Sequence, residues 1–197
     1  PTGYMHIGNL RTALYSYLFA KHYDGEFIVR IEDTDVKRYV KGATEAIFQA
    51  LDWAGIKHDE GPDIGGPHGS YIQSQRLELY QKYAKELVDK GLAYYCFCDE
   101  KTLEEMRAEQ IAGKQAPKYD RRCTELSEAE IKEKLTAGLP HVIRMKIPGN
   151  RVIEFNDLVR GKVSFNTNEI DDQILVKSDD YPTYHLAVVV DDHLMEV

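Results

Sequence analysis

The segment PTGYMHIGN (residues 1–9) constrains the fold more than any other part of the chain. It places a histidine and two glycines just ahead of an apolar pattern with helical spacing. The apolar positions are Ile7, Leu10, Leu14, Tyr17 and Leu18. Steps of three and four residues predict a helix that begins near Gly8 and ends at Asp24 and Gly25. The segment is therefore expected to be a loop that turns into a helix.

The start of such a helix is suited to an anionic ligand. Its first amide groups have no partners within the helix and lie at the positive end of the helix dipole, so they can receive a nucleotide phosphate. We expect Gly3 and Gly8 to permit unusual backbone angles and a close approach of the ligand. His6 can donate a hydrogen bond to phosphate oxygens as charge builds in a transition state. An isolated His-x-Gly is more often a helix cap with a surface histidine.

The next segments predict an α/β fold. Residues 27–31 (FIVRI) form a short apolar run typical of a buried strand, and the acidic segment 32–35 (EDTD) follows it. Because ligands of open α/β sheets bind beyond the carboxyl ends of the strands, these carboxylates should face the same crevice as His6. Two further amphipathic patterns predict helices that end at Gly55 and at Gly91. Strand alternating with helix favours a parallel sheet.

Two parts of the chain depart from this alternation. Residues 61–69, rich in glycine and proline, predict a loop over the site, with a plain connector as the alternative. Beyond Gly91, the motifs TLEE (102–105) and SEAE (127–130) predict capping boxes that open short helices. Apolar residues then alternate with basic ones at 143–147, as in a strand. An inserted α+β module is expected here.

Composition and charge set wider limits. The chain has 197 residues, of which 43% are hydrophobic and 29% charged, as in ordinary globular domains. A net charge of −8 argues against a surface wholly dedicated to nucleic acid, but it permits a local basic face. A basic cluster that either contacts phosphates or lies in a solvated loop comprises Arg107, Lys114, Lys118, Arg121 and Arg122. The apolar runs are too short to span a bilayer and no leader precedes Tyr4, so a cytoplasmic protein without a membrane partner is expected.

Four segments, in order and spacing, resemble the catalytic part of the bacterial glutamyl-tRNA synthetases, a family of class I aminoacyl-tRNA synthetases. They are PTGYMHIGN (1–9), VRIEDTD (29–35), DEGPDIGGPHGSYIQSQR (59–76) and DDYPTYHLAVVVDDHLM (179–195). The resemblance extends over essentially the whole chain. Residues 6–9 (HIGN) resemble the family's His-Ile-Gly-His signature, with asparagine in place of the last histidine.

The resemblance implies a Rossmann-like class I synthetase catalytic domain with an inserted α+β connective domain that grips the tRNA acceptor end. Residues 1–93 are expected to form the first part of the catalytic domain, 94–178 the connective domain and 179–197 the return to the catalytic domain. The family's Arg-x-Ala-Pro-Ser segment, its Lys-x-Ser-Lys loop and its anticodon-binding region do not occur in this sequence. We therefore interpret the sequence as a piece of a longer polypeptide. The expected oligomeric state is a monomer.

The implied activity is ATP-dependent ligation of L-glutamate to tRNA(Glu) through a glutamyl-adenylate, with Mg²⁺ assisting. The residues implied for ATP are Thr2, Gly3, His6, Gly8 and Asn9, and the last three of these are implied to be catalytic. Glu32 and Tyr184 are implied to bind glutamate. Relatives often carry asparagine where this chain has Val188, so no polar contact is transferred to that position.

Two alternative functions stay open. One is a glutamyl-queuosine tRNA(Asp) synthetase, which shares the fold and adenylates glutamate but lacks the segment GPDIGGPHGSY (61–71) present here. The other is a non-catalytic tRNA-binding module derived from a synthetase, because the family's phosphate-clamping loop does not occur in the sequence.

The three cysteines support a separate metal hypothesis. An odd count with close spacing at Cys96, Cys98 and Cys123 fits a reducing compartment better than a disulfide framework. The spacing resembles the zinc knuckle of some members of the family, and a structural zinc site needs four ligands. In those relatives the fourth is a histidine, where this chain has Glu125, or a tyrosine, where it has Tyr119. The local pattern favours Tyr119, and three thiols without a metal remain the alternative.

Overall fold

A computed structural model describes residues 3–35, 38 and 40–197. The helices of these residues are α1 (Ile7–His22), α2 (Ala43–Trp53), α3 (Leu77–Asp89), α4 (Glu100–Ala112), α5 (Glu128–Thr136) and α6 (Tyr184–Leu194). The strands are β1 (Ala93–Cys96), β2 (Val142–Met145), β3 (Val152–Asp157), β4 (Gly161–Asn166) and β5 (Ile174–Val176). The described helices include none with both the length and the apolar character that a membrane crossing requires.

The chain forms two compact units. The first, here called unit 1, comprises Pro1–Tyr80 and Ala187–Val197, and the second, unit 2, comprises Gln81–Leu186. The units therefore divide within α3 and within α6, whereas the pattern of the sequence changes at Gly91.

Helix α1 (Ile7–His22) ends about two residues before the predicted stop and packs a different face than predicted. Its core partners in unit 1 are Phe27, Val29, Leu51 and Ile56, against which it packs Leu10, Ala13, Tyr17 and Ala20. Ile7, Leu14 and Leu18 are 80%, 42% and 52% exposed. The helical spacing predicted the helix correctly. The small residues Ala13 and Ala20 complete its packed face, and a pattern based on large apolar residues does not include them.

The predicted strand at 27–31 is extended and pairs in parallel, but only through isolated bridges. The Val29 amide donates to the Glu60 carbonyl at 2.9 Å, and the Ile31 amide donates to the Tyr71 carbonyl at 2.8 Å. The Gln73 amide donates back to the Ile31 carbonyl at 3.0 Å. The segment that pairs with residues 27–31 departs after residue 60 and comes back at residue 71. No continuous ladder of backbone hydrogen bonds therefore forms along residues 27–31.

The two predicted glycine stops are confirmed. Gly55 follows α2 and Gly91 follows α3, and both have a φ of +68°. A positive φ is inexpensive only for a residue without a Cβ, so each glycine ends its helix.

Unit 2 contains a three-stranded antiparallel sheet in the order β1-β2-β5, and a separate hairpin of β3 and β4. The predicted cap at Ser127 is confirmed, since its side chain accepts from the Glu130 amide and Glu130 bonds back. The predicted cap at Thr102 was wrong. The Asp99 carboxylate accepts from the Thr102 amide at 2.8 Å, so α4 begins at Glu100 and Thr102 lies inside its first turn.

Candidate active site

A cavity of about 500 Å³ in unit 1 is formed where α1 begins and the extended segment 27–31 ends. Its lining residues include Gly3, Met5, His6, Asn9, Arg30 and Glu32. The structure thus brings an imidazole, a carboxylate and the start of a helix to one cavity. Of the predicted ATP residues, Thr2 lies outside the described part of the chain.

His6 is the N-cap of α1, and this position defines its tautomer. The Gly8 amide donates to Nδ1 of His6 at 3.1 Å. Because Nδ1 accepts a hydrogen bond, the proton of the neutral ring is assigned to Nε2. His6 can therefore cap the helix with one nitrogen and donate to a ligand with the other. The cap and the donor, which appeared as alternatives in the sequence, are compatible.

Asn9 closes the cap from the other side. Its Oδ1 accepts from the His6 amide at 3.1 Å, so His6 and Asn9 form a reciprocal capping box. This bond holds the His6 backbone, and the asparagine that replaces the last histidine of the signature takes part in it directly.

The structural requirement for glycine at position 8 differs from the one predicted. It lies in helical conformation and is not among the positive-φ glycines of the described residues, so unusual backbone angles are not its purpose. A Cβ at Gly8 would instead lie 2.9 Å from Cε1 of His6. The space next to the backbone is filled by the imidazole. A Cβ at Gly3 would meet nothing within 4 Å, so Gly3 is open to the cavity that it lines.

Glu32 is held by the guanidinium of Arg30, a residue that was not among the predicted site residues. Nη2 of Arg30 donates to Oε1 of Glu32 at 3.1 Å. The Glu32 side chain remains 34% exposed, whereas that of Arg30 is only 13% exposed. An arginine in the middle of the apolar run FIVRI was the signal that could have identified it, since a buried guanidinium requires partners.

Asp33, next in the chain, has a structural role. Its carboxylate accepts from the Ser74 amide at 2.8 Å and from the Ser74 hydroxyl at 2.6 Å. It therefore fixes the end of the extended segment to the short 3₁₀ turn Gln73–Gln75. Tyr184, the other residue implied to bind glutamate, is the first residue of α6, is 57% exposed and belongs to unit 2.

No residue of the loop at 61–69 is among those that line the cavity described above, and a position of this loop over the site stays a prediction. Its ends are held by Glu60, which is 2% exposed. Glu60 accepts from Nδ1 of His68 at 2.8 Å and a short hydrogen bond from the Tyr71 hydroxyl. Burial opposes ionisation, yet the hydrogen bonds from Tyr71 and His68 keep the pKa of the Glu60 carboxyl below its usual value.

In unit 2 the sulfur atoms of Cys96, Cys98 and Cys123 all lie within 4.8 Å of one another. The Tyr119 hydroxyl lies 3.2 Å from Sγ of Cys96 and 3.3 Å from Sγ of Cys98. Sγ of Cys98 lies 3.6 Å from Sγ of Cys123. Glu125 is exposed and is not part of this cluster. The structure therefore brings together the three cysteines and the tyrosine that the local pattern favoured.

Arg144 supplies positive charge to the cysteine cluster. Its guanidinium carbon lies 4.2 Å from the centroid of the Tyr119 ring, and Arg144 is only 6% exposed. Hydrogen bonds, chiefly with Cys123 and then with Tyr119 and Arg144, lower the pKa of the Cys96 thiol. The cluster thus favours a thiolate at this position.

The predicted basic cluster is largely engaged in contacts within unit 2. Arg121 pairs with Asp172 at 2.7 Å, and Arg122 pairs with Asp120 at 2.7 Å. Lys118 donates to the Asn168 carbonyl at 2.9 Å. These contacts favour a structural role for the three residues over direct contacts with phosphates.

Comparison with known families covers the whole chain. The family model described as "tRNA synthetases class I (E and Q), catalytic domain" matches residues 1–197. The chain is 56% identical over 197 residues to the glutamate--tRNA ligase of Clostridium acetobutylicum and 54% identical over 205 residues to that of Clostridioides difficile. These alignments cover 100% of this chain but only 41% and 42% of the relatives, so the chain spans about two fifths of their length.

The structure agrees with that match. A crystal structure of a glutamate tRNA ligase from Elizabethkingia meningosepticum, in complex with its amino acid, superposes with a TM-score of 0.94 at 46% sequence identity. The superposition covers 41% of that ligase chain and 100% of this chain. The glutamate-tRNA synthetase of Elizabethkingia anophelis gives a TM-score of 0.93 at the same identity and coverage. The predicted α/β class I synthetase fold is confirmed. Because the family model matches all 197 residues, the chain belongs to the catalytic-domain family of the class I tRNA synthetases (E and Q).

Proposed function

We propose that the complete polypeptide containing this chain activates L-glutamate with ATP and transfers it to tRNA(Glu). The observation that carries the proposal is that His6 and Glu32 line the same cavity. It offers a phosphate-binding helix start and a carboxylate for an ammonium group. The identity of 56% to a glutamate--tRNA ligase supports glutamate as the amino acid.

In the first step, the α-carboxylate of glutamate attacks the α-phosphorus of ATP. The bond from that phosphorus to the bridging oxygen breaks, and pyrophosphate leaves with the electron pair. Nε2 of His6 and the first amides of α1 donate to the phosphate oxygens as negative charge shifts, which stabilises the transition state. Mg²⁺, when bound, neutralises part of the triphosphate charge. Gly3 and Asn9 contribute to the ATP site through the cavity wall and the capping box, and Thr2 belongs to the same proposal.

In the second step, a ribose hydroxyl at the tRNA terminus attacks the carbonyl carbon of the adenylate and AMP leaves. Glu32 serves both steps by holding the α-ammonium through a charge-assisted hydrogen bond, and Tyr184 is assigned to glutamate binding in the same proposal. We assign residues 94–178 to the connective domain that receives the tRNA acceptor end, and the cytoplasm as the location. The full coverage of this chain, at 46% identity, by a glutamate tRNA ligase in complex with its amino acid supports glutamate as the substrate of both steps.

A test of the function is glutamate-dependent exchange between pyrophosphate and ATP, measured on the complete polypeptide with tRNA supplied. We expect exchange with glutamate and its absence with glutamine or aspartate. Charging of tRNA(Glu) at its terminal ribose is the companion measurement. Exchange without charging of tRNA(Glu), but with modification of tRNA(Asp), would instead indicate the queuosine enzyme. A protein that binds tRNA without any exchange would be the non-catalytic module.

Gly8→Ala tests the arrangement of His6 within this function. The new Cβ, 2.9 Å from Cε1 of His6, forces the imidazole out of its place. Alanine favours the helix by about 1 kcal/mol, which offsets a similar cost of losing the His6 side-chain cap, so stability is retained. We expect adenylate formation to slow about 10- to 100-fold, as for a misplaced catalytic group, with an unchanged melting temperature. Single-turnover formation of adenylate measures the effect, and a rate equal to that of the unmodified protein would contradict it.

We further propose that Cys96, Cys98, Cys123 and Tyr119 hold a structural Zn²⁺. In a tetrahedral site with zinc–sulfur bonds of about 2.3 Å, the sulfurs lie about 3.8 Å apart, close to the 3.6 Å between Cys98 and Cys123. Three thiolates exceed the charge of Zn²⁺ by one, and Arg144 offers the balancing positive charge. The metal would crosslink β1 to the short turn Arg122–Glu125 and stabilise this part of unit 2.

Metal analysis of the complete polypeptide tests this site. We expect about one zinc per chain, and zinc lost from Cys123→Ser. Tyr119→Phe should weaken zinc retention against a chelator, because it removes one of four ligands. Tyr95→Phe, a matched change in β1 outside the cluster, should retain zinc. A folded protein with no bound metal would exclude the site.

A further inference from the structure

Arg30 connects the Glu32 carboxylate of the cavity to two carboxylates of helix α6. While Nη2 of Arg30 donates to Glu32 at 3.1 Å, Nη1 donates to Oδ1 of Asp192 at 2.8 Å. Nε lies 3.6 Å from Oδ2 of Asp191 and is buried without a hydrogen bond. All of these groups belong to unit 1. The guanidinium therefore has Glu32 on one edge and Asp192 on another.

Asp191 makes the far side of this arrangement rigid. It is fully buried, with 0% exposure. Its carboxylate accepts from Nε of Arg76 at 2.8 Å, from the Gln73 amide group at 3.0 Å and from the Tyr80 hydroxyl at 2.8 Å. A buried carboxylate with three donors cannot readily move, so it presents a fixed negative charge to Arg30.

The charges of this cluster do not cancel. Glu32, Asp191 and Asp192 supply three carboxylates, whereas Arg30 and Arg76 supply two guanidinium groups. One negative charge is left over, and of the three carboxylates Glu32 is the one that lines the cavity. The cluster is therefore one positive charge short at the cavity, which a ligand ammonium would supply.

We propose that Arg30 is a positioning residue for glutamate binding. It holds Oε1 of Glu32 and leaves Oε2 to accept the α-ammonium of the substrate, while Asp192 keeps the guanidinium in place. The role requires arginine because its planar fork reaches two carboxylates at once, which a lysine ammonium on a flexible stem does not reproduce. This inference rests on the proposed function and adds to it the residue that orients Glu32.

Arg30→Lys in the complete polypeptide tests the role, since it keeps the charge and removes the fork. In glutamate-dependent exchange, we expect the KM for glutamate to rise about 10-fold, the loss typical of a charge-assisted hydrogen bond. The KM for ATP should stay within about 2-fold, since His6 and α1 are untouched. Arg76→Lys is the matched control, because Arg76 binds Asp191 but not Glu32. It should lower the melting temperature without a selective rise in the KM for glutamate.

A double variant shows whether Arg30 acts through Glu32. If it does, Arg30→Lys combined with Glu32→Gln should bind glutamate no worse than Glu32→Gln alone. Additive losses would overturn the proposal, as would an Arg30→Lys protein whose two KM values rise equally or not at all. The unmodified protein distinguishes failure of the proposed function from failure of this inference. If it shows no glutamate-dependent exchange, both are overturned. If it shows normal exchange and Arg30→Lys leaves both KM values unchanged, only the role of Arg30 is overturned.

Discussion

His6→Ala is expected to slow glutamate-dependent pyrophosphate exchange about 10²- to 10³-fold, the cost of removing one preorganised donor from a charged transition state. The Gly8 amide donates to Nδ1, so Nε2 carries the proton that the reaction uses. Because the donor matters most as charge develops, kcat should fall more than the KM for ATP rises. Steady-state exchange kinetics on the complete polypeptide measure both constants.

A second variant separates chemistry from folding. Alanine removes the side-chain cap of α1 as well as the donor, whereas asparagine is among the best capping residues. His6→Asn should therefore retain the melting temperature of the unmodified protein and still lose the rate. Unchanged turnover in either variant would remove His6 from the mechanism, and a loss confined to His6→Ala would assign it to the cap alone.

Glu32→Gln is expected to raise the KM for glutamate about 100-fold, at the upper end for a hydrogen bond to a charged group. The amide keeps the shape of the side chain but removes the negative charge that is unbalanced in the cluster with Arg30. The KM for ATP should change less than about 3-fold, because the phosphate site is formed by other residues. Exchange measured at varied glutamate and varied ATP gives the two constants.

Asp59→Asn is the matched control for that change. Asp59 is also a partly exposed carboxylate of unit 1, but it pairs with Lys21 at 2.8 Å and does not line the cavity. It should leave the KM for glutamate unchanged. Equal losses for glutamate and ATP in Glu32→Gln would count against the assignment of Glu32 to the ammonium.

Helices α1 to α5 could be predicted from the sequence because their signals are local, whereas α6 was not predicted. Gly55 and Gly91 end helices by adopting a positive φ, which depends on the missing Cβ and on little else. The cap of α4 was misplaced because Asp99 and Thr102 are both good caps, and only the observed hydrogen bond decides between them. The extended segment 27–31 was found, but its partners at 60 and 72 depend on a loop whose path has no periodicity.

The site was predictable where a motif places the residues close together. HIGN and the carboxylate after FIVRI indicated His6 and Glu32, and the structure brings both to one cavity. The spacing of the cysteines likewise anticipated a cluster. Arg30 escaped notice because its partner Asp192 lies 162 residues further along the chain. A pairing at that distance leaves no periodic signal in a single sequence.

The central claim is that one cavity holds the phosphate at His6 and the amino acid at Glu32. A crystal structure of the complete polypeptide with a non-hydrolysable glutamyl-adenylate analogue tests this directly. We expect a phosphate oxygen within hydrogen-bonding distance of Nε2 of His6, and the α-ammonium within hydrogen-bonding distance of Glu32, at about 3 Å in each case. An analogue bound in a different cleft, or with its ammonium turned away from Glu32, would contradict the account.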